Sequence, residues 1–105
     1  MKLWLDDVRP APEGYVWIKS VNEAKDFILN NAKYNLYAKE LDLITLIDID
    51  HDAGEYAKDG GDYIKLLDWL EETGCDCSIH IHSMNPVGCA NMRRIIERNG
   101  WKEIR

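Results

Sequence analysis

Residues 43–49 read LITLIDI, the strongest strand signal in the chain, and DHD follows at residues 50–52. An almost continuous apolar run of this length is typical of a central parallel strand, which is covered on both faces. Asp48 interrupts the run near its end, and by period-two alternation it shares a face with Asp50. The stretch therefore predicts a buried strand whose carboxyl end carries acidic residues and His51.

Shorter strand signals flank this run, and helical segments separate most of them. Ser20 with Glu23 forms a capping box, and Asp62 is expected to open a second helix. Asn85 caps a third helix that has Pro86 at its first position. This alternation predicts an α/β fold with a mostly parallel five-stranded sheet. The other predicted strands are residues 2–5, 15–18, 78–82 and 101–104.

The pattern leaves two segments undecided. The connection over residues 6–14 contains Pro10, Pro12 and Gly14, which leave little room for a helix. A parallel crossover normally needs a dozen or more residues. The strand at 15–18 therefore either follows an extended crossover or pairs in another direction. Residues 33–40 either continue the preceding helix or form a loop.

Composition narrows the class of protein. The chain has 105 residues, which predict a single domain, and 46% of them are apolar. Nineteen acidic and 13 basic residues give a formal charge of −6, which argues against an extended nucleic-acid-binding surface. No membrane segment or signal peptide is recognisable, and three cysteines are consistent with reduced thiols. A cytoplasmic location is the expected default, while the oligomeric state stays open.

Acidic residues follow the first and third predicted strands, where parallel neighbours share one crevice. Asp6, Asp7 and Asp50 offer oxygen ligands suited to Mg²⁺ or Mn²⁺. Because carboxylates repel one another, a site that gathers three of them favours a bound cation. These residues therefore predict a site for a divalent metal ion.

The run HIHSMNPVG at residues 80–88 supplies residues for proton transfer and phosphate binding. His82 is the first candidate to donate a proton to a leaving oxygen, and His51 is the second. His80 shares a face with His82, and it is equally well read as a hydrogen-bonded core residue. Ser83 is a candidate for both catalysis and phosphate binding. The candidate phosphate-binding residues are Ser83, Asn85, Val87, Gly88 and Arg9, although Arg9 could equally form a surface ion pair.

Four motifs resemble the divergent cyclic-phosphate-processing receiver-like family, a relative of the receiver domains of two-component signalling. They are LDDVRP at 5–10, DHDAG at 50–54, GGD at 60–62 and HIHSMNPVG at 80–88 with Asn91-Met92. The resemblance spans almost the whole chain. It implies a receiver- or flavodoxin-like three-layer sandwich, here with the first helix reduced or missing, that acts on cyclic phosphates. With the acidic cluster, it predicts metal-assisted hydrolysis of cyclic phosphodiesters such as nucleotide or RNA-end cyclic phosphates.

Two other functions stay open. One is a divergent receiver phosphorylated on Asp50 or Asp48. Ordinary receivers carry a lysine after the fifth strand, whereas Lys102 lies near the start of that strand, which weighs against this reading. The other is a non-catalytic module that binds a cyclic phosphate or a protein partner.

Other ligand-type residues have competing readings. Asp52 and Asp62 are expected to form a turn and a helix cap rather than to bind metal. A structural zinc site is a further alternative, although its Cys-x-Cys spacing is tighter than usual. Its ligands would be Cys75, Cys77, His80 and His82.

Overall fold

A computed structural model of the chain describes residues 1–31, 34–35, 40–41 and 44–105. The strands in these ranges are β1 (Lys2–Leu5), β2 (Tyr15–Ile18), β3 (Tyr34–Asn35), β4 (Glu40–Leu41), β5 (Leu46–Ile49), β6 (Ser78–Ile81) and β7 (Lys102–Glu103). Five of them are parallel and form one sheet in the order β2–β1–β5–β6–β7. The short strands β3 and β4 pair in antiparallel fashion and form a second sheet.

Two of the described helices, α1 (Val21–Asn31) and α3 (Pro86–Asn99), begin at the caps that the sequence predicts. The Glu23 N–H donates to Ser20 Oγ at 3.0 Å, and the Gly88 N–H donates to Asn85 Oδ1 at 2.9 Å. Gly100 ends the last helix with a left-handed φ of 67°, which glycine adopts at little cost. The helices are α1 (Val21–Asn31), α2 (Ile64–Thr73), α3 (Pro86–Asn99) and a 3₁₀ helix (Gly54–Asp59).

One face of the five-stranded sheet forms the hydrophobic core. Leu3, Ile47 and Ile79 lie side by side in register, and Leu5 pairs with Ile49 one step further on. All five side chains are fully buried. Because each such side chain contributes roughly 1.5–3 kcal/mol when buried, this face is a main source of stability. The helix residues in the same cluster include Val21, Ala24, Leu66, Leu67, Leu70, Met92 and Ile96.

On the opposite face of the sheet, the connection between β1 and β2 contacts the side chains of Trp4 and Trp17. No helix forms in residues 6–14, so the expected loss of the first helix is confirmed. The Trp4 Nε1–H donates to the Arg9 carbonyl at 2.9 Å, and the Trp17 Nε1–H donates to the Asp6 carbonyl at 2.8 Å. β1 and β2 pair in parallel, which resolves the open question in favour of an extended crossover. The α/β receiver-like fold with a parallel sheet is therefore confirmed.

Two details differ from the sequence-based expectations. The strand β6 ends at Ile81, so His82 is the first residue beyond it. Helix α2 begins at Ile64, and Asp62 does not cap it, because its carboxylate accepts a bond from the Ala53 N–H at 3.0 Å. Leu43 and most of the undecided segment 33–40 lie outside the described residues. Among the described helices, none has the length and apolar character needed to span a membrane.

Candidate functional site

Three potential metal ligands meet at the carboxyl ends of three adjacent strands. Asp6 follows β1, Asp50 follows β5 and His82 follows β6. One donor atom of each lies within 4.8 Å of the donor atoms of the other two. We refer to Asp6, Asp50 and His82 as the ligand cluster. The parallel register of the three strands is what brings residues so distant in sequence together.

His82 is held from both sides by carboxylates. Its Nδ1 lies 2.6 Å from Asp48 Oδ1, and its Nε2 lies 3.0 Å from Asp6 Oδ2. The imidazole stacks on the Trp4 ring, with the ring centroids 3.9 Å apart and the planes nearly parallel. Only 9% of the His82 side chain is exposed. Both ring nitrogens are therefore engaged, which leaves neither free to serve a leaving group in this geometry.

Asp6 is the most constrained member of the ligand cluster. Its Oδ1 accepts hydrogen bonds from the Val8 and Arg9 N–H groups at 2.9 and 2.8 Å. Burial raises the pKa of this carboxyl, but the bonds from Arg9, Val8 and His82 favour its charged form. Together they bring the pKa of Asp6 below its ordinary value. Asp6 is therefore a buried carboxylate that stays charged.

The lowered pKa of Asp6 predicts a specific loss of stability in acid. Its folded-state pKa lies below the unfolded value of about 4, so its contribution is present above that value. The contribution is lost as the pH falls through the folded-state pKa. We expect the free energy of unfolding to fall less steeply in Asp6→Asn than in the wild type. Urea unfolding between about pH 6 and pH 3 measures this, and equal slopes would contradict it.

Asp7 does not join the ligand cluster, contrary to its assignment from the sequence as a metal ligand. Its carboxylate lies against Gly54, where an added Cβ would collide with Asp7 Oδ2. Burial, followed by the negative charge of Asp7, raises the pKa of the buried Tyr63 phenol. Both residues follow the end of β1, and their carboxylates have different neighbours there.

His51 lies beside the start of α3, where its Nδ1 is 2.9 Å from Asp52 Oδ1. The ring rests over Gly88, and an added Cβ there would come within 2.5 Å of His51 Cγ and Cδ2. Asn85 Nδ2 lies 3.4 Å from the same His51 Nδ1. Among the described residues, no hydrogen-bond partner of His51 Nε2 is found. Gly88 thus makes room for a histidine that Asp52 orients.

The loop before α3 uses part of its hydrogen-bonding capacity internally. Ser83 Oγ accepts a bond from the Asn85 N–H at 3.0 Å, which leaves the Ser83 hydroxyl proton available. The Gly88 N–H already donates to Asn85 Oδ1, so the expectation that this amide binds phosphate is not supported. Val87, which is exposed, remains the better amide donor. The loop therefore offers Ser83 and Val87 to an anion.

Ser83 and Asn85 border a crevice of about 290 Å³ at the carboxyl ends of the strands. Arg9, with 52% of its side chain exposed, stands at its edge and lies 3.8 Å from Asp6. A larger depression of about 430 Å³ lies at the opposite ends of the strands and holds none of the ligand cluster. We place the candidate site in the smaller crevice because Asp50, a member of the ligand cluster, lines it, and Arg9 at its edge lies beside Asp6. Its lining residues are Arg9, Asp50, Asp52, Ser83, Met84 and Asn85.

His80, a catalytic candidate from the sequence, does not line the crevice. Its Nδ1–H donates to the Ile104 carbonyl at 2.8 Å, which ties β6 to the end of the chain. Since a carbonyl oxygen only accepts, this bond defines which His80 nitrogen carries the proton. His80 is therefore the hydrogen-bonded structural residue of the alternative reading.

The zinc alternative fails on the geometry of the strand. Cys77 packs against the hydrophobic core, whereas alternation directs His80 and His82 to the opposite face. Burial raises the pKa of the Cys77 thiol and that of the Cys75 thiol, which disfavours the thiolates that zinc requires. No group of potential metal ligands among the described residues includes a cysteine.

Three contacts of the site escaped the sequence-based reasoning. They are the bond between Asp48 and His82, the stacking of Trp4 on His82, and the packing of His51 over Gly88. The first had a signal, because Asp48 lies two residues before Asp50 and points to the same face. The other two depend on backbone separations that no sequence pattern reports.

A family model matches most of the chain. The profile described as the cyclic-phosphate processing receiver domain matches residues 1–98, a span that includes the ligand cluster and the start of α3. No curated protein and no solved structure matches the chain. The chain belongs to the family of cyclic-phosphate processing receiver domains.

Proposed function

We propose that this domain hydrolyses cyclic phosphodiesters, such as the cyclic phosphate of a nucleotide or of an RNA end, with the help of a divalent cation. The observation that carries the proposal is the crevice itself. It joins Asp50, at the edge of the ligand cluster, to Ser83, Asn85 and the neighbouring His51. One cation ligand, Asp50, and the candidate phosphate-binding groups therefore face one volume.

Asp6 and Asp50 are the carboxylates that would hold the cation, which we expect to be Mg²⁺ or Mn²⁺. The spacing of the ligand cluster, within 4.8 Å, is compatible with ligands of a single ion. Such an ion would bind a phosphate oxygen and withdraw charge as the phosphorus centre is attacked. Asp6 suits this role because its hydrogen bonds keep it charged.

The remaining residues of the site have separate roles in phosphate binding and in proton transfer. Arg9, the Ser83 hydroxyl and the Val87 N–H are suited to the other phosphate oxygens. Water adds to phosphorus, and one bond from phosphorus to a sugar oxygen breaks. His51 gives that oxygen a proton and regains one from the attacking water. The proposal assigns this step to His51 rather than His82, because both His82 nitrogens are already bonded to carboxylates.

Two features weigh against the alternative of phosphorelay signalling. Asp48 is buried and bonded to His82, so it is a poor phosphoacceptor. Lys102 pairs with Ser78 at the opposite end of the sheet, far along the strands from Asp50. No lysine is among the described residues that line this crevice, where ordinary receivers use one to read the phosphoryl group.

Incubation with 2′,3′-cyclic nucleotides and Mn²⁺ tests the proposal, with the nucleoside monophosphate followed by chromatography. We expect turnover that stops when the metal is chelated. Ligand-induced thermal stabilisation without turnover would instead identify a binding module. Labelling of Asp50 by acetyl phosphate, without turnover, would identify a receiver. Either result would contradict the proposed hydrolysis.

A further inference from the structure

We propose that His82 Nε2, rather than Asp7, is the third protein ligand of the metal ion, and that Asp48 orients it. This inference rests on the cation of the proposed function and concerns how the chain holds it. Ordinary receivers use carboxylates after the first and third strands. Here the imidazole of His82 occupies the position beside them, while the Asp7 carboxylate points towards Gly54.

The separation of the donor atoms is the first argument. His82 Nε2 and Asp6 Oδ2 are 3.0 Å apart. Two neighbouring ligands of an octahedral ion with bonds of ~2.1 Å lie ~3.0 Å apart, so both atoms can keep their positions when an ion binds. An ion bound there would replace the hydrogen bond between the two atoms.

The surroundings of His82 are the second argument. A histidine that binds metal through one nitrogen usually donates the other N–H to a carboxylate, which sets the ring orientation. Asp48 Oδ1 lies 2.6 Å from His82 Nδ1 and only 7% of the Asp48 side chain is exposed. The Trp4 ring fixes the imidazole plane by stacking. This arrangement holds Nε2 beside the Asp6 carboxylate.

The choice of ion follows from the ligand set. An all-carboxylate site suits Mg²⁺, whereas a nitrogen donor shifts the preference towards first-row transition ions. We therefore expect Mn²⁺ and Co²⁺ to bind the domain more tightly than Mg²⁺ does. Replacing His82 with Gln should remove most of this preference.

Pulsed EPR of the Mn²⁺-loaded protein reads the ligand directly, without any assay of activity. We expect coupling from one imidazole nitrogen in the wild type, loss of that coupling in His82→Gln, and its retention in His51→Gln. Titration with Mn²⁺ should give about 10–100-fold weaker binding for Asp48→Asn, as for other orienting residues of metal sites. Asp7→Asn should retain the nitrogen coupling, because the amide replaces a side chain outside the ligand cluster.

The outcomes separate this inference from the proposed function. Mn²⁺ bound without nitrogen coupling in the wild type, or coupling lost in His51→Gln but kept in His82→Gln, overturns the inference alone. Absence of Mn²⁺ binding by the wild type overturns both. Where His82→Gln does not fold, a wild-type spectrum without nitrogen coupling still overturns the inference, and retention of the coupling in His51→Gln still excludes His51 as its source.

Discussion

Replacing His51 with Gln is expected to lower the rate of cyclic-phosphate hydrolysis by about 10²–10⁴-fold, the usual effect of losing a general acid. The expectation rests on the position of His51 beside the crevice and on the bond of its Nδ1 to Asp52. Gln is similar in reach but cannot exchange a proton. Single-turnover measurement with a 2′,3′-cyclic nucleotide isolates the chemical step from product release.

His80→Gln is the matched control for this experiment. It changes the same residue type at a position tied to the Ile104 carbonyl, and Gln can still donate that bond. We expect it to retain the wild-type rate. Gly88→Ala is an independent probe, because its Cβ would displace the His51 ring while leaving every acidic group in place. An active His51→Gln protein with an inactive His80→Gln protein would reverse the assignment.

Removing the Asp48 carboxylate is expected to destabilise the metal-free fold by about 3 kcal/mol, the upper end of the usual cost of leaving a buried polar group unpaired. The Asp48→Ala variant leaves His82 Nδ1 buried without its partner at 2.6 Å. It also opens a small cavity on the sheet face beneath His82. Urea unfolding in the presence of a chelator measures the loss in free energy.

Asp68→Ala provides the control for the Asp48 measurement. Asp68 lies 4.0 Å from Lys65 on α2, and both side chains are largely exposed. Exposed ion pairs of this kind contribute only about 0–1 kcal/mol, so the two aspartates should differ clearly. Equal destabilisation by the two substitutions would show that the contact between Asp48 and His82 carries little free energy.

The fold was largely predictable because its signals are local. The apolar run ending at Ile49, the Ser20 and Asn85 caps and the glycine at position 100 each act through neighbouring residues. The direction of β2 was not predictable, because residues 6–14 are shorter than a usual parallel crossover and contain no helix to indicate its path. Only the contacts of Trp4 and Trp17 with the connecting loop reveal how the chain crosses.

The site was predictable in composition but not in detail. Asp6, Asp50 and His82 were expected at one end of the sheet, and they are there. The exclusion of Asp7 was missed because residue type does not report which side of a loop a carboxylate takes. The occupied Gly88 amide was missed for a related reason: the cap formed by Asn85 consumes the donor that the helix start was expected to offer.

The two bonds of His82 also have a kinetic meaning. They join residues 34 and 76 positions apart in the chain, across β5 and β1. Closing loops of this length costs entropy that is recovered only when the central strands have paired, so contacts of this kind form slowly. The ligand cluster therefore forms only when the sheet is complete, and partly folded chains lack it. A ligand of this site would bind only molecules whose β1, β5 and β6 are already assembled.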